Sequence, residues 1–308
     1  GLRIMADRAS FGDLLEPGFA EIYNDAYKEA DRVYTQVFRM GNSGKQDERE
    51  SSVSGLGLLV EKTENATISY EDPIQGYSVL YTHATFGLGF KVSKELYDDD
   101  QYNVMNSKPE ELGKAARRTE ELSGMNVFNR AFNASFLGGD DQELTSTVHP
   151  RPDGGTAQSN ASSTGITFGE ANYETGKLAM RKQLDPKGQR IGVAPKAILI
   201  PIDLEKTASI VFNSNLRSGT ADNDFNPYKG ELKVISALYL DRNATHWFLL
   251  DTEQHKVKWF WREKARFTQD QLFETDSAVF KVTERFSNGF SAWEGVWGSQ
   301  GDGAAYSG

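Results

Sequence analysis

The chain has 308 residues, and 34 Lys and Arg against 44 Asp and Glu give it a formal net charge of −10. Its length fits one large domain or two modest ones. The absence of cysteine excludes disulfide scaffolds, thiolate zinc sites and cysteine nucleophiles, and the absence of an apolar run near 18 residues excludes a membrane-spanning helix. The acidic balance argues against general affinity for nucleic acid but allows contact through a local basic face.

The N-terminal part alternates between helical and polar segments. A helix is predicted after Pro17-Gly18, because apolar residues recur there at helical spacing. The polar segment 41–50 opens with Gly-Asn-Ser-Gly and predicts a mobile linker. The residues of the helical stripe are Phe19, Ile22, Tyr23, Ala26, Tyr27 and Ala30.

Residues 51–96 carry β signals. Leu56, Leu58 and Val60 alternate with small or polar residues, which predicts a strand. Further strands are predicted at Thr67–Tyr70, Tyr77–Thr82 and Thr85–Val92. Together they indicate a ribbon of two or three strands with little core of its own. Because an isolated hairpin is marginal in water, such a ribbon is expected to rest on another surface.

A long helix is predicted over 109–134. Acidic residues precede it, and its apolar residues fall near one stripe. At 1.5 Å per residue it would form a rod of about 39 Å, which is long for a compact domain.

The central part mixes loops, helices and strands. Residues 140–164 form a turn-rich loop, and loops of that length are often functional or mobile. The other predicted elements are a helix at Phe168–Leu184, a buried strand at Ala197–Pro201, a helix at Leu204–Asn213 and strands at Val234–Leu240 and His246–Leu250.

The last third is rich in β signals, with strands predicted over 278–285 and within 290–297. In the segment 256–266, Val257, Trp259 and Trp261 alternate with Lys258, Phe260 and Arg262. The alternation favours a strand with one buried aromatic face and one charged face that meets acidic neighbours. The alternative is a nucleic-acid surface with stacking aromatics.

The sequence contains no catalytic signature. It lacks a phosphate-binding Gly-rich Lys-Ser/Thr loop, a His-Glu-x-x-His helix and a Gly-x-Ser-x-Gly elbow. Gly87 and Gly89 lack a helix start at the right place for a dinucleotide-binding loop and are expected to relieve crowding in a strand or to bend it. The acidic run 98–100 could attract a hard cation but fits a solvated approach to a helix better. The four histidines, which are not at ligand spacing, are His83, His149, His246 and His255.

The order of the parts resembles a known family. The passage HATFGLGFKVSKELYDDDQYNV followed by ELGKAARRTEELSGMNVFNRAFN resembles the ribbon-to-helix region of the Mu-type major head subunit. The segment TDSAVFKVTERFSNGFSAWEGVWGSQG resembles the closing strand and tail of such subunits. In the order of its parts, nearly the whole chain resembles the major capsid proteins of tailed phages, which have the Hong Kong 97 fold.

The resemblance implies an α+β fold with a defined division of the chain. It implies an N-terminal arm at 1–49 and an extended β-ribbon loop at 50–94. A peripheral domain at 95–191 would contain the spine helix, 109–134. An axial domain would follow at 192–253, and 254–308 would supply further peripheral strands and the C-terminal tail.

The implied function is structural, with no enzyme activity, no cofactor and no metal. Copies of the chain would form the hexamers and pentamers of an icosahedral head around double-stranded DNA, assembled in the host cytoplasm and located in the virion. Further partners would be a scaffold or maturation protease, a portal and decoration proteins, with no membrane. The alternatives are an encapsulin-like compartment shell and a mixed α/β hydrolase.

A shell subunit needs surfaces that other copies cover. The ribbon is expected to gain stability across a neighbouring subunit, and the N-terminal arm is expected to order only against another chain. Acidic ribbon residues are expected to meet basic residues on a neighbour's peripheral strands. The acidic candidates are Glu61, Glu64, Glu71 and Asp72, and the basic candidates are Lys258, Arg262, Lys264 and Arg285.

Overall fold

The helices and strands are taken from a computed structural model that describes residues 11–29, 32–64, 67–68, 70–99, 104–216, 224–275 and 277–302. The helices are α1 (Phe11–Glu29), α2 (Tyr34–Val37), α3 (Lys94–Asp99), α4 (Val104–Asn129), α5 (Glu170–Arg181) and α6 (Glu205–Asn213). The strands are β1 (Arg39–Asn42), β2 (Asp47–Val53), β3 (Gln75–Thr82), β4 (Ala84–Ser93), β5 (Ala197–Pro201), β6 (Lys233–Ala237), β7 (Trp247–Leu250), β8 (Val257–Leu272), β9 (Ser277–Phe290) and β10 (Val296–Ser299). The predicted mixture of helices and sheets is confirmed.

The first sheet has the strand order β1-β8-β9-β4. The long strands β8 and β9 pair antiparallel, β4 adds to β9 antiparallel, and β1 adds to β8 in parallel. Val257, Trp259 and Trp261 of β8 are buried, as their alternation predicts, and they pack below α2 and α4. The sheet leaves little room between β4 and β9, because a Cβ atom at Gly89 would lie 2.6 Å from the Phe280 backbone oxygen. The glycine there relieves crowding, as expected.

The second sheet has the order β10-β7-β5-β6. Every residue of β5, β7 and β10 is buried, which is why β5 and β7 are continuous apolar runs rather than alternating ones. Helices α5 and α6 contribute Tyr173, Met180 and Phe212 to the core on one side of it. The predictions for α5, α6 and β5 to β7 are confirmed, with small differences at the ends. The final strand β10 pairs with β7 and joins this sheet rather than the first one.

Strands β2 and β3 form a separate two-stranded ribbon. The predicted strand at Leu56–Val60 is wrong, because residues 54–60 have no strand partner. The described residues of the Thr67–Tyr70 prediction are likewise irregular, and Ser69 lies outside the described residues. The strand Thr85–Val92 exists as β4 but belongs to the first sheet. The ribbon is therefore two-stranded and carries a long tip, 54–74, whose described residues are irregular.

The predicted linker at 41–50 is also wrong. Arg39–Asn42 is β1 and runs parallel to β8, while Asp47–Val53 is β2 and pairs with β3. Both segments are polar, so their local sequence does not indicate strands. Their hydrogen-bond partners come from distant parts of the chain, and those partners determine the conformation.

The long helix is confirmed but shifted along the chain. It runs from Val104 to Asn129 rather than over 109–134. Pro109, which favours a helix start, lies inside the helix. Ala131 and Phe132 continue the apolar stripe from a turn and pack in the same core, so apolar spacing alone places the end too late.

The N-terminal helix packs on its own chain. Phe19 and Tyr23 of α1 are 2% exposed and lie against the first sheet and α4. Gly113 permits the close approach, because a Cβ atom there would lie 2.7 Å from the Tyr23 backbone oxygen. The helix prediction is confirmed, but the expectation that the arm orders only against another chain is wrong for residues 11–29. Residues 1–10 and Ala30 lie outside the described residues.

Candidate assembly surfaces

The ribbon is anchored at its base. Tyr81 of β3 is 3% exposed, and its ring meets Phe260 of β8 with the ring centroids 5.1 Å apart. Glu50 of β2 forms an ion pair with Lys258 of β8. Both side chains are about one quarter exposed, so water screens the pair only in part. The ribbon therefore leaves the body of the subunit in a defined direction.

Beyond this anchor, the ribbon tip exposes apolar side chains. Leu59 is fully exposed, and Leu58 and Val60 are each 74% exposed. Isolated apolar residues on a surface are common, but neighbouring ones on a projecting loop are typical of an interaction site. The other strongly exposed apolar residues of the ribbon are Val53, Leu56, Ile68 and Tyr70.

One acidic residue of the tip is held by the subunit itself. Glu71 Oε1 lies 2.5 Å from Lys187 Nζ, and its Oε2 accepts a hydrogen bond of 2.7 Å from the Gly57 backbone N–H. Lys187 also donates to the Asp72 backbone oxygen at 3.3 Å. The Lys187 and Gly57 hydrogen bonds lower the pKa of the Glu71 carboxyl. These contacts tie the returning limb of the tip to the segment after α5.

The other predicted contact residues are placed as follows. Glu61, Glu64 and the side chain of Asp72 are exposed on the tip, and Arg262 and Lys264 are exposed on β8. Arg285 is half-buried on β9, opposite Thr85 of β4. Within the subunit, the structure joins Glu71 to Lys187 and Lys258 to Glu50. It pairs none of the four predicted acids with any of the four predicted cations of β8 and β9. Sequence reasoning missed Glu50 and Lys187, because the only local signal was a charge on a polar segment.

The Glu50–Lys258 pair provides a test of the ribbon anchor. We expect Lys258→Glu to lower the free energy of unfolding by about 1–2 kcal/mol, since it puts two carboxylates in contact beside a partly buried sheet. Adding Glu50→Lys restores an ion pair and is expected to recover at least half of that loss. Urea unfolding of the two single variants and the double variant measures the coupling. Strictly additive losses would contradict a direct pair.

The histidines serve as structural groups. All four are buried, and His149 lies with Nδ1 2.7 Å from Asp140 Oδ2 and Nε2 3.0 Å from Asn160 Oδ1. Its ring stacks on Trp293 with the centroids 4.7 Å apart. These contacts fasten the long loop 140–164. Across the described ranges, no group of three or more His, Asp or Glu side chains is arranged to hold a metal ion.

The family of the chain follows from comparison with known proteins. The model of the family described as phage capsid protein matches residues 76–298, from β3 into β10, well over half of the chain. The chain belongs to the phage capsid protein family. Among curated proteins, none matches this capsid protein.

Solved structures agree with the family. The bacteriophage JBD30 capsid is similar with a TM-score of 0.57 at 16% identity, covering 71% of this chain and 94% of that chain. A virus-like particle from Pyrococcus furiosus has a TM-score of 0.57 at 10% identity, covering 92% and 98%. Mycobacterium phage Adephagia has a TM-score of 0.53 at 15% identity, covering 90% and 92%. At these identities the likeness establishes the fold.

The capsid protein therefore has the Hong Kong 97-type fold that the resemblance implied. Its role is that of a major capsid protein in the virion shell, which is a structural role. The specific likeness to the Mu-type head subunit stays a prediction. In the part of the chain that the structure describes, no helix is long and apolar enough to cross a membrane.

Proposed function

We propose that this capsid protein forms the hexamers and pentamers of an icosahedral head around double-stranded DNA. The observation that carries the proposal is the ribbon tip, where Leu58, Leu59 and Val60 project without cover. A second copy is the proposed partner, because a shell built from one chain must join different faces of identical subunits. Each tip would bury its apolar residues on the next subunit.

Charge contacts are proposed to direct the same overlap. Glu71 and Lys258 already have partners within the subunit. We therefore assign the contact between subunits to Glu61, Glu64 and Asp72 on the ribbon, facing Arg262, Lys264 and Arg285 of a neighbour. Opposite charges on the two faces favour one register of association and disfavour others.

Charge reversal tests this assignment. The double variant Arg262→Glu/Lys264→Glu is expected to reduce particle yield by about tenfold, because several exposed pairs of 0.2–1 kcal/mol each sum to roughly 1.4 kcal/mol. The melting temperature of the unassembled subunit should stay within a few degrees of wild type. Sedimentation of particles and thermal unfolding measure the two quantities.

A matched control separates this contact from net charge. Lys91 and Lys281 are exposed on β4 and β9, and Lys91→Glu/Lys281→Glu changes the net charge equally. This control is expected to assemble normally, and Glu61→Lys/Glu64→Lys should restore yield to the Arg262/Lys264 variant. Equal particle yields from Arg262→Glu/Lys264→Glu and from the control Lys91→Glu/Lys281→Glu would refute the assignment.

The division into domains belongs to the same proposal. We assign 192–253 to the axial domain near the capsomer centre, and add β10 because it completes the second sheet. The first sheet and α4 are assigned to the peripheral domain. A scaffold or maturation protease, a portal and decoration proteins are the further partners that a phage head of this kind would need.

The alternative is an encapsulin-like compartment shell without a genome, because the virus-like particle from Pyrococcus furiosus shares the fold. Two observations test these proposals, and the second distinguishes the compartment shell from a phage head. Negative-stain microscopy of the expressed chain should show closed shells or capsomer rings, and a small soluble oligomer would refute both forms of shell. Particles isolated from cells carrying the complete phage should protect double-stranded DNA from nuclease. A compartment shell would hold protein cargo instead.

A further inference from the structure

Three buried carboxyl groups meet one guanidinium where the N-terminal helices join the body of the subunit. We call this set, Glu120, Glu121, Glu284 and Arg117, the buried carboxyl cluster. Its members are at most 5% exposed. Helix α4 supplies three of them and strand β9 supplies Glu284, while α1 and α2 cover the cluster with the rings of Tyr23, Tyr27 and Tyr34.

Glu120 is fully provided with donors. Arg117 Nη1 donates to its Oε2 at 2.5 Å, and the hydroxyls of Tyr27 and Tyr34 donate at 2.5 and 2.8 Å. Arg117 also donates to the Tyr27 backbone oxygen at 3.0 and 3.3 Å, and its guanidinium lies over the Tyr27 ring, 3.9 Å from the centroid. Glu120 thus joins α1 and α2 to α4 by accepting hydrogen bonds from Tyr27 and Tyr34. The charge of Arg117 is paired with Glu120.

Glu121 and Glu284 have fewer donors. Glu121 has only backbone donors at the start of α2: the Tyr34 N–H lies 3.2 Å from Oε2 and 3.4 Å from Oε1, and the Val33 N–H also donates to the carboxyl. Glu284 lies against Glu120, and among the described residues neither its Oε2 nor the buried Tyr23 hydroxyl has a hydrogen-bond partner. Two adjacent buried carboxyls beside a single guanidinium are stable only if a proton stays on one of them.

Among the residues that the structure describes, the surroundings add no further buried cation. Strand β8 presents Ala265 and Phe267 to this junction, and Phe86 of β4 lies opposite Glu284. The charged groups that border the cluster are on its solvent side. Lys114, Arg118 and Glu205 line a groove beside Glu121, and Arg32 and Lys264 line a groove beside Tyr27 and Tyr34.

We propose that the protonation of Glu121 and Glu284 controls the docking of α1 and α2 on α4, so that the N-terminal segment is a pH-sensitive latch. Protonated carboxyls let the two helices close over the cluster. Deprotonation places uncompensated negative charge beneath Tyr23 and Tyr34, and the chain relieves it by admitting water, which requires the N-terminal helices to lift.

The direction of the pH dependence follows from the burial. Burial raises the pKa of Glu121 to about 7, and burial together with the charge of Glu120 raises the pKa of Glu284 to about 8, from 4.5 in water. The docked state therefore binds more protons than the open state between pH 4.5 and about 8. Docking is strongest below pH 4.5, weakens as the pH rises through 7 to 8, and is constant above. Burial also raises the pKa values of the three tyrosines, which stay protonated throughout.

Hydrogen exchange of the full chain, read by mass spectrometry, tests the latch. Protection factors corrected for the intrinsic pH dependence of exchange are compared at pH 5.5 and 8.5 for peptides within 15–29. We expect protection of α1 to fall at least about tenfold at the higher pH, since each carboxyl shifts the equilibrium by up to tenfold per pH unit. Peptides of α5, which lies elsewhere in the fold, should keep constant protection.

Neutral isosteres identify the groups responsible. In Glu121→Gln/Glu284→Gln, α1 should be as protected at pH 8.5 as at pH 5.5. Glu111→Gln is the matched control, because Glu111 lies on the same helix but is exposed, and it should retain the wild-type response. Equal wild-type protection at both pH values, or an unchanged response in the double variant, would overturn the latch.

The outcome does not depend on assembly or on one variant. If the double variant does not fold, the pH profile of α1 protection in the wild-type chain tests the latch by itself. The latch requires the loss of α1 protection to be complete near pH 8. The measurement uses unassembled subunits and particles in parallel. A failure to form shells would therefore refute the proposed function and leave the latch intact.

Discussion

The triple variant Leu58→Ser/Leu59→Ser/Val60→Ser is expected to abolish particle formation while leaving the subunit folded. These side chains are 74–101% exposed in the single subunit, so their loss removes no core contact. If a neighbouring copy buries them, each contributes about 1.5–3 kcal/mol to every contact between subunits. The summed loss of roughly 5 kcal/mol or more per contact weakens association by more than a thousandfold.

Gradient sedimentation with negative-stain microscopy measures assembly, and thermal unfolding measures the fold. The matched control is Lys62→Ser/Thr63→Ser, which alters exposed polar residues of the same loop. We expect the control to assemble as wild type does, and all variants to melt within a few degrees of one another. Normal shells from the triple variant would refute the role of the tip.

The largest loss of stability is expected from Trp259→Ala. The indole on β8 is completely buried. It stacks on the Phe286 ring with the centroids 4.3 Å apart, and its centroid lies 4.5 Å from that of the Tyr34 ring. Removing it leaves a cavity beneath α2 and α4. We expect the free energy of unfolding to fall by about 3–5 kcal/mol, measured by urea unfolding of the soluble subunit.

Two controls accompany this variant. Trp259→Phe keeps an aromatic ring in the same place and should cost markedly less than the alanine variant. Lys281→Ala changes an exposed residue of the neighbouring strand β9 and should lie within about 0.5 kcal/mol of wild type. A loss below about 1 kcal/mol for Trp259→Ala would show that this core is not cooperative with the rest of the subunit.

Several elements could be predicted because their local sequence and their environment agree. The segment Ala197–Pro201 is apolar throughout and is buried on both faces. The alternation of Trp259 and Trp261 with Lys258, Phe260 and Arg262 matches a strand with one fully buried face. The polar strands β1 and β2 could not be predicted in this way. Their backbone hydrogen bonds depend on β8 and β3, which the chain brings to them from far along the sequence.

The charged residues show the same limit. Glu120 and Glu121 resemble solvent-facing residues of a long helix, yet both are buried because α1 and α2 close over them. The ion pair between Glu50 and Lys258 joins residues 208 positions apart. The predicted contacts of the ribbon acids with neighbouring subunits remain to be tested, since they involve surfaces that a single subunit leaves open.

The sequence by itself determined the order of arm, ribbon, long helix and strand-rich end, the lack of cysteine chemistry, and the resemblance to phage capsid proteins. These follow from composition and from spacing between near neighbours. Only the tertiary structure decided that the N-terminal helix docks on its own chain, that the apolar side chains of the ribbon tip are exposed to solvent, and which carboxyls are buried. Burial depends on residues that folding brings together from distant parts of the chain. The spacing of apolar residues within one segment therefore does not predict it.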